Sequence, residues 1–228
     1  MNKQFSIAID GPAGAGKSTV AKALAEALGA MYLDTGAMYR AFGLAMLRAG
    51  VDVNDHDAVA ARTEDVDIMV EPSAEGQRIY LAGEDVTGAI RTPEVAGAAS
   101  SISAVAEVRE RMVALQRKIA EGQNVVMDGR DIGTKVLPNA TLKIYLTASA
   151  EERARRRCKE LEEKGKAEPY EQVLRDMIQR DYQDTHRAAS PLRPAEDAVH
   201  VDTSDLTVEE SVALMKKLAD EAIQRSQK

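Results

Sequence analysis

This chain of 228 residues has few of the residues and segments that would identify a cellular compartment or a metal site. Its single cysteine, Cys158, cannot form an internal disulfide, which fits a reducing compartment, and we expect a cytoplasmic protein. The three histidines, His56, His186 and His200, lack the spacing of metal ligands. No run of 18 apolar residues occurs, and the first residues lack the basic-then-apolar order of a signal peptide, so we predict no membrane partner.

Positive charge is also in deficit, since the formal net charge is −7. That balance argues against a general nucleic-acid-binding role, which usually requires a basic surface. A protein that binds small phosphorylated molecules needs only a local positive pocket, so this class stays open. The apolar fraction of 44% predicts a folded globular chain, and the length allows one sizeable core with a small insertion.

Apolar periodicity predicts alternating strands and helices towards both ends of the chain. The predicted strands are residues 5–10, 31–33, 124–127, 142–146 and 199–201. The predicted helices are residues 18–28, 37–49, 150–164, 171–188 and 207–224, and residues 94–120 are helical with a break near 100–105. Thr207 and Glu210 have the spacing of a capping box. This alternation predicts an α/β fold with a doubly wound, mostly parallel sheet and helices on both faces.

The segment between residues 62 and 101 has a different pattern. Residues 66–70 and 78–81 are strand-like, and turn signals occur at Glu75-Gly76 and at residues 83–85. Neighbouring strands without a helix between them indicate a small antiparallel unit. We therefore divide the chain into a core, residues 1–61 and 102–228, and an inserted domain, residues 62–101.

A glycine-rich segment follows the first predicted strand and precedes a predicted helix. It matches the P-loop pattern G-x-x-x-x-G-K-[ST], in which backbone N–H groups and the helix N-terminus face phosphate oxygens. Lys17 would supply charge to the β- and γ-phosphates, and the Ser18 hydroxyl would bind Mg²⁺. A tight turn without a ligand is the alternative. We predict ATP binding by Gly11, Pro12, Ala13, Gly14, Ala15, Gly16, Lys17, Ser18 and Thr19.

Asp128 ends another buried apolar strand. This position suits a Walker-B-like carboxylate that holds Mg²⁺ directly or through water. An aspartate at a strand end is also common in turns, but the P-loop favours the metal role. We predict that Mg²⁺ is held by Ser18 and, through water, by Asp128.

Arginines are concentrated near predicted strand ends and helix starts. They are Arg40, Arg109, Arg130, Arg153, Arg156, Arg157, Arg180 and Arg187. A guanidinium binds phosphate through a bidentate fork and keeps its charge at any relevant pH. Transfer between two phosphates brings two anions together, and fixed cations lower that electrostatic barrier. For any single arginine, a solvated surface charge is the alternative.

Four segments resemble the bacterial-type cytidylate kinase family: residues 9–18 (IDGPAGAGKS), 33–40 (LDTGAMYR), 83–95 (GEDVTGAIRTPEV) and 128–138 (DGRDIGTKVLP). A fifth, residues 180–192 (RDYQDTHRAASPL), resembles the family's substrate-side helix, so the resemblance covers essentially the whole chain. It implies a P-loop NTPase-type core, a monophosphate-binding domain at residues 62–101 and a short helical lid at about residues 153–170. The implied reaction moves the γ-phosphate of ATP to CMP or dCMP, giving ADP and CDP or dCDP.

The resemblance also implies roles for single residues. The acceptor phosphate would be gripped by Arg40, Arg130 and Arg187. The cytosine would be read by Ser100, Arg109 and Asp131. The pentose would be held by Arg180 and Asp184, with Thr35 at the acceptor pocket. The lid over ATP would contain Arg153, Arg156 and Arg157. The implied catalytic residues are Lys17, Asp128, Arg130, Arg156 and Arg187. Independently, Arg180, Asp184 and Arg187 have the i, i+4, i+7 spacing of one helix face.

The sequence also allows other functions to be considered. The nearest is a kinase of another nucleoside monophosphate, such as UMP or AMP. A guanine-specific P-loop switch would carry an N-K-x-D-like segment, which is not found. An interaction protein with a vestigial P-loop disagrees with the intact Lys17, Ser18 and Asp128. We expect ATP and CMP or dCMP as partners, Mg²⁺ as cofactor, no nucleic acid, and a monomer.

Overall fold

The computed structural model describes residues 4–73 and 76–227. Within them the strands are β1 (Ser6–Asp10), β2 (Met31–Asp34), β3 (Ile68–Ser73), β4 (Gly76–Leu81), β5 (Glu84–Asp85), β6 (Val125–Gly129), β7 (Leu142–Thr147) and β8 (Val199–Asp202). The α-helices are α1 (Lys17–Leu28), α2 (Thr35–Arg48), α3 (His56–Ala61), α4 (Pro93–Ile102), α5 (Ala106–Ala120), α6 (Ala150–Glu163), α7 (Tyr170–His186) and α8 (Val208–Ser226). Shorter helical turns are Thr63–Asp65, Ala89–Arg91 and a π-helical turn, Ile132–Val136. None of the described helices is both long enough and apolar enough to span a bilayer.

The centre of the fold is a five-stranded parallel sheet in the order β2-β6-β1-β7-β8. Side chains alternate between its two faces. Ile7 and Ile9 of β1 pack in the cluster that contains buried residues of α1 and α8, whereas Ala8 packs in the cluster with α2 and α5. Burial on both faces explains why β1 is a continuous apolar run. The predicted doubly wound α/β fold is confirmed.

A second, antiparallel sheet has the order β3-β4-β5. The sequence predicted a turn at residues 83–85, but Glu84–Asp85 forms β5, and the chain turns at Ala82 and Gly83, which both have positive φ. The predicted turn at Glu75-Gly76 includes residue 75, which lies outside the described residues. Buried Ile68 and Ile79 join the same cluster as Phe42 of α2, so this sheet shares its core with the central sheet.

Two local predictions are confirmed and one helix was not predicted. The expected break near residues 100–105 lies between the end of α4 and the start of α5. Thr207 caps α8, its hydroxyl accepting from the Glu210 N–H at 3.1 Å while the Glu210 carboxylate accepts from the Thr207 N–H at 2.9 Å. No sequence pattern predicted α3.

The carboxyl ends of three neighbouring strands meet at one edge of the parallel sheet. Parallel register sets Asp34 of β2 beside Asp128 of β6, and Asp10 of β1 beside Gly129. The P-loop follows β1 directly, and Arg130 and Asp131 follow β6 directly. In open α/β sheets this edge is where ligands bind, and the topology brings the P-loop to the same edge as Asp34, Asp128, Arg130 and Asp131.

Candidate active site

The P-loop adopts a backbone that its glycines permit. Gly14 and Gly16 have φ of +74° and +85°, in the left-handed region that favours glycine, and Gly16 caps α1. A Cβ at Gly11 would lie 1.9 Å from the carbonyl oxygen of Leu146, so the loop could not approach β7 this closely with any larger residue. The loop therefore leads into the N-terminus of α1 with its backbone N–H groups available for phosphate.

Lys17 and Asp128 are both buried within this arrangement. The Lys17 ammonium donates to the Pro12 carbonyl at 2.7 Å. Burial, followed by repulsion from Arg130, lowers the pKa of Lys17 to about 7. The Asp128 carboxylate accepts from the Ser18 hydroxyl at 2.8 Å and from the Tyr32 hydroxyl at 2.9 Å. Burial, followed by repulsion from Asp34, raises the pKa of Asp128 to about 6.

ATP binding is expected to take up close to one proton at about pH 8. The Lys17 side chain is mostly the neutral amine at this pH in the free protein, because its pKa is about 7. Bound phosphates raise that pKa, since they favour the charged ammonium form. Asp128, with a pKa of about 6, is already ionised at this pH and should contribute nothing to the proton uptake. Titration calorimetry in two buffers of different ionisation enthalpy measures the uptake. The proton uptake should vanish in the Lys17→Met variant. Equal uptake by the wild-type protein and the variant would show that the proton does not bind to Lys17.

A cavity of about 270 Å³ adjoins the P-loop. Its walls include Lys17, Ser18 and Asp128 on the donor side. They also include every residue that the resemblance assigned to the acceptor: Thr35, Arg40, Ser100, Arg109, Arg130, Asp131, Arg180, Asp184 and Arg187. The fold thus brings together residues from widely separated segments, while their individual roles stay predictions. A wider cleft of about 1410 Å³ also borders Arg40, Ser100, Arg180 and residues of the antiparallel sheet.

One buried ion pair lines the small cavity. The Arg109 guanidinium pairs with the Asp131 carboxylate, and only 4% and 6% of the two side chains are exposed. Arg109 also donates to the Ser103 carbonyl at 3.1 Å, and its guanidinium lies 5.5 Å from the centre of the Tyr39 ring. Tyr39 was not singled out from the sequence. The pair places a carboxylate, which accepts hydrogen bonds, beside a guanidinium, which donates them, at the wall of the small cavity.

A second group of charges surrounds Asp184. Its carboxylate accepts from Arg130 Nε at 2.7 Å, and an Arg187 nitrogen lies 3.8 Å away. Burial disfavours the charge on Asp184, but Arg130, Arg180 and Arg187 together outweigh this effect and hold the pKa of the carboxyl below its usual range. The sequence placed Arg180, Asp184 and Arg187 on one helix face. That is wrong for Arg187, because α7 ends at His186 and Arg187 continues with an extended backbone.

Two arginines of this cavity, Arg180 and Arg187, lie in surroundings that disfavour their positive charge. Desolvation within the cleft, then repulsion from Arg130, lowers the pKa of Arg180, although water reaches its side chain. Burial, then repulsion from Arg109, lowers the pKa of Arg187. An anion bound here would relieve this repulsion.

Buried polar atoms without a hydrogen-bond partner also occur in residues that line the small cavity. Among the described residues, four buried side-chain polar atoms lack a hydrogen-bond partner: Tyr39 Oη, Arg109 Nε, Gln116 Nε2 and Arg187 Nη2. Three of these residues, Tyr39, Arg109 and Arg187, line the small cavity. Because buried polar groups are nearly always paired in native proteins, the cavity is suited to a ligand rich in acceptor oxygens.

Arg130 and Asp184 are expected to act as a unit. We expect a double-mutant cycle of Arg130→Ala and Asp184→Asn on acceptor kcat/KM to be non-additive by about 0.5–3 kcal/mol. The matched cycle of Arg180→Ala with Asp184→Asn should show the smaller coupling, because the hydrogen bond from Asp184 goes to Arg130. Stronger coupling to Arg180 would contradict the observed pairing.

The three predicted lid arginines differ in their surroundings. Arg153 is buried, and its guanidinium donates to the Asp181 carboxylate at 2.6 and 3.1 Å and to the Ala13 carbonyl at 3.0 Å. Arg156 donates to the Thr203 carbonyl at 2.6 Å. Only Arg157 of the three lines the wide cleft. Arg153 therefore ties the P-loop to α7, and contacts of these arginines with ATP stay predictions.

Asp34 and Gln77 belong to the site but were not predicted. Asp34 caps α2 by accepting from the Ala37 N–H at 2.9 Å, and it pairs with Arg40 at 2.9 Å. The Gln77 amide accepts from the Asp34 N–H at 2.9 Å and donates to the Asp34 carbonyl at 3.1 Å. An aspartate before a helix start is a recognisable cap signal, whereas nothing in the sequence around Gln77 indicates this partner.

Comparisons with known proteins agree with this geometry. The family model described as cytidylate kinase matches residues 7–221. A cytidylate kinase from Desulfitobacterium hafniense is 52% identical, over 98% of this chain and 96% of that protein. One from Carboxydothermus hydrogenoformans is 53% identical, over 93% and 96%. A solved structure of an uncharacterized protein from Eubacterium ventriosum, 16% identical, covers 96% of this chain and 99% of its own with a TM-score of 0.51, which supports the fold alone. The chain belongs to the cytidylate kinase family.

Proposed function

We propose that this protein transfers the γ-phosphoryl group of ATP to CMP or dCMP, giving ADP and CDP or dCDP. The observation that carries the proposal is the small cavity, in which Lys17 and Ser18 of the P-loop share walls with Arg40, Arg130 and Arg187. A donor phosphate on the loop and an acceptor phosphate among the arginines would lie next to each other. Membership of the family supplies the identity of the acceptor.

On the donor side, the backbone N–H groups of the P-loop and the Lys17 ammonium bind the phosphates of ATP. The hydroxyl of Ser18 and the carboxylate of Asp128, 2.8 Å apart, form a set of oxygen donors that fits Mg²⁺, which prefers one or two protein oxygens together with phosphates. When bound, Mg²⁺ neutralises charge on the β- and γ-phosphates. The burial of Lys17 keeps its charge close to the group that moves.

On the acceptor side, Arg40, Arg130 and Arg187 hold the phosphate of CMP. An oxygen of that phosphate attacks the γ-phosphorus, and the bond from phosphorus to the bridging oxygen of ADP breaks. The attacking oxygen is already ionised near neutral pH, so no general base is needed. The fixed arginines instead offset the repulsion between the two anions.

The remaining assignments complete the proposal. Ser100, Arg109 and Asp131 read the cytosine, Arg180 and Asp184 hold the pentose, and Thr35 borders the acceptor. The segment 62–101 serves as the monophosphate-binding domain, and residues 153–170, with Arg156 and Arg157, close over ATP and exclude water. We propose a monomer that works in the cytoplasm, where ATP is plentiful.

ADP release is expected to be slow with ATP and Mg²⁺ alone and fast after addition of CMP or dCMP. A coupled assay of ADP production with CMP, dCMP, UMP and AMP measures this, with EDTA added in a parallel series to remove Mg²⁺. Equal ADP release with and without any acceptor would reject the kinase. Faster release with UMP or AMP than with CMP would assign another acceptor to the same site.

A further inference from the structure

Asp131 occupies an unusual position. It is the residue before the π-helical turn Ile132–Val136, where an aspartate side chain normally accepts from the first backbone N–H groups of the helix. Its side chain makes no such hydrogen bond, and its carboxylate pairs instead with Arg109 at the cavity. Another acceptor must therefore satisfy the start of this turn.

That acceptor is Asp10, the last residue of β1. One oxygen of its carboxylate accepts from the Ile132 N–H at 2.8 Å, and the other accepts from the Gly133 N–H at 2.7 Å. Only 4% of the residue's surface is exposed. A Cβ on Gly133 would lie only 3.3 Å from the nearer Asp10 oxygen, so a glycine at this position leaves room for the carboxylate.

The charged groups around Asp10 give its carboxylate no side-chain hydrogen bond in the described part of the chain, and Asp131 repels it through space. The Lys143 stem packs near Gly133, but its ammonium donates to Asp197 at 2.8 Å. Lys17 acts on Asp10 through space, and its own hydrogen bond goes to the Pro12 carbonyl. The hydrogen bonds to the Asp10 carboxylate in the described part of the chain come from the two N–H groups of the turn.

We propose that Asp10 is a positioning residue for base recognition: it caps the turn in place of Asp131 and so leaves the Asp131 carboxylate available to Arg109 and the cytosine. Because Asp10 directly precedes the P-loop, the end of one strand holds both the phosphate loop and the base-reading segment in register. This inference rests on the proposed role of Asp131. Without the cap, the Asp131 carboxylate can turn back to its own helix start.

The test replaces Asp10 with asparagine, which keeps the shape but directs an NH₂ group at a backbone N–H. The measurements are kcat/KM with CMP and with UMP at saturating ATP, the Kd for ATP, and amide hydrogen exchange of residues 130–136. We expect the CMP/UMP ratio to fall about tenfold, exchange to accelerate and the Kd for ATP to change less than about twofold. Gly133→Ala, which crowds the same carboxylate and leaves Asp10 in place, should also lower the ratio.

Asp34→Asn is the matched control, because Asp34 is another strand-end aspartate that caps a helix. Its helix carries Arg40 of the proposed phosphate grip. We therefore expect kcat/KM to fall by the same factor with CMP and with UMP, so that the CMP/UMP ratio does not change. An unchanged ratio in both Asp10→Asn and Gly133→Ala would overturn the proposal. So would an equal loss with both substrates accompanied by weaker ATP binding, which would assign Asp10 to the P-loop. Wild-type protein that fails to phosphorylate CMP would reject the proposed function instead, while amide exchange still tests the cap.

Discussion

Lys17→Ala is expected to lower kcat about 10²–10³-fold, the loss typical of removing one preorganised group that stabilises transition-state charge. The ammonium is buried and already fixed by the Pro12 carbonyl at 2.7 Å, so no reorganisation is needed when charge develops on the phosphoryl group. CMP binding should change less than about twofold, because interactions made mainly in the transition state affect turnover rather than acceptor affinity. Turnover under saturating substrates and calorimetric titration with CMP measure the two quantities.

Lys216→Ala is the control for this prediction. Lys216 lies on α8 and pairs at the surface with Asp220 at 2.7 Å, so the same substitution there should leave kcat within about twofold. If Lys17→Ala keeps near wild-type turnover, the P-loop does not serve the reaction as proposed. If CMP affinity falls as much as turnover, the Lys17 charge acts on binding instead.

Asp131→Ala is expected to collapse the preference for CMP over UMP. Cytosine presents an amino donor where uracil presents a carbonyl acceptor, so an ionised Asp131 favours only cytosine. Arg109 can donate to the unprotonated ring nitrogen or carbonyl of cytosine but opposes the N–H of uracil. A hydrogen bond to a charged group is worth about 1.5–3 kcal/mol, so kcat/KM with CMP should fall roughly ten- to over a hundredfold, and with UMP much less.

The ion pairs of the cavity make this a decisive measurement. Asp131 pairs with Arg109, whereas Arg130 of the proposed phosphate grip pairs with Asp184. Removing Asp131 thus leaves the grip common to both substrates intact. Asp184→Ala is the comparison variant, and it should lower kcat/KM with CMP and with UMP by the same factor. An unchanged CMP/UMP ratio in Asp131→Ala would remove this carboxylate from base recognition.

The elements that the sequence predicted are those with a local physical signal. The P-loop needs glycines at fixed spacing, and β1 and α1 have clear apolar runs and stripes. The helix α3 gave no signal because its six residues bury only Val59, which is too little for a periodic stripe. Strand β5 was predicted as a turn because Gly83 and Asp85 are typical of turns, and only pairing with β4 makes Glu84–Asp85 a strand.

Pairing between distant side chains could not be predicted in the same way. Many of the polar residues that line the small cavity were named from motifs or from the family resemblance, whereas Asp34 and Tyr39 were not. The partners of all these residues depend on how the elements pack. Asp184 was grouped with Arg180 from their spacing, and that spacing did not predict that Asp184 also accepts from Arg130, 54 positions away in the chain. Asp10 accepts from backbone groups more than 120 positions away. No spacing rule within one helix or strand reports such contacts, because they arise where separate strands end at one edge.

The contact between Gln77 and Asp34 has a consequence for self-association. Strand β2 is an outer strand of the parallel sheet, and outer strands expose backbone donors and acceptors that can recruit another chain. At Asp34 both groups are occupied by the Gln77 amide, which mimics a neighbouring strand for one residue. The hairpin that carries Gln77 thus shields the end of β2 nearest the P-loop from intermolecular β-pairing.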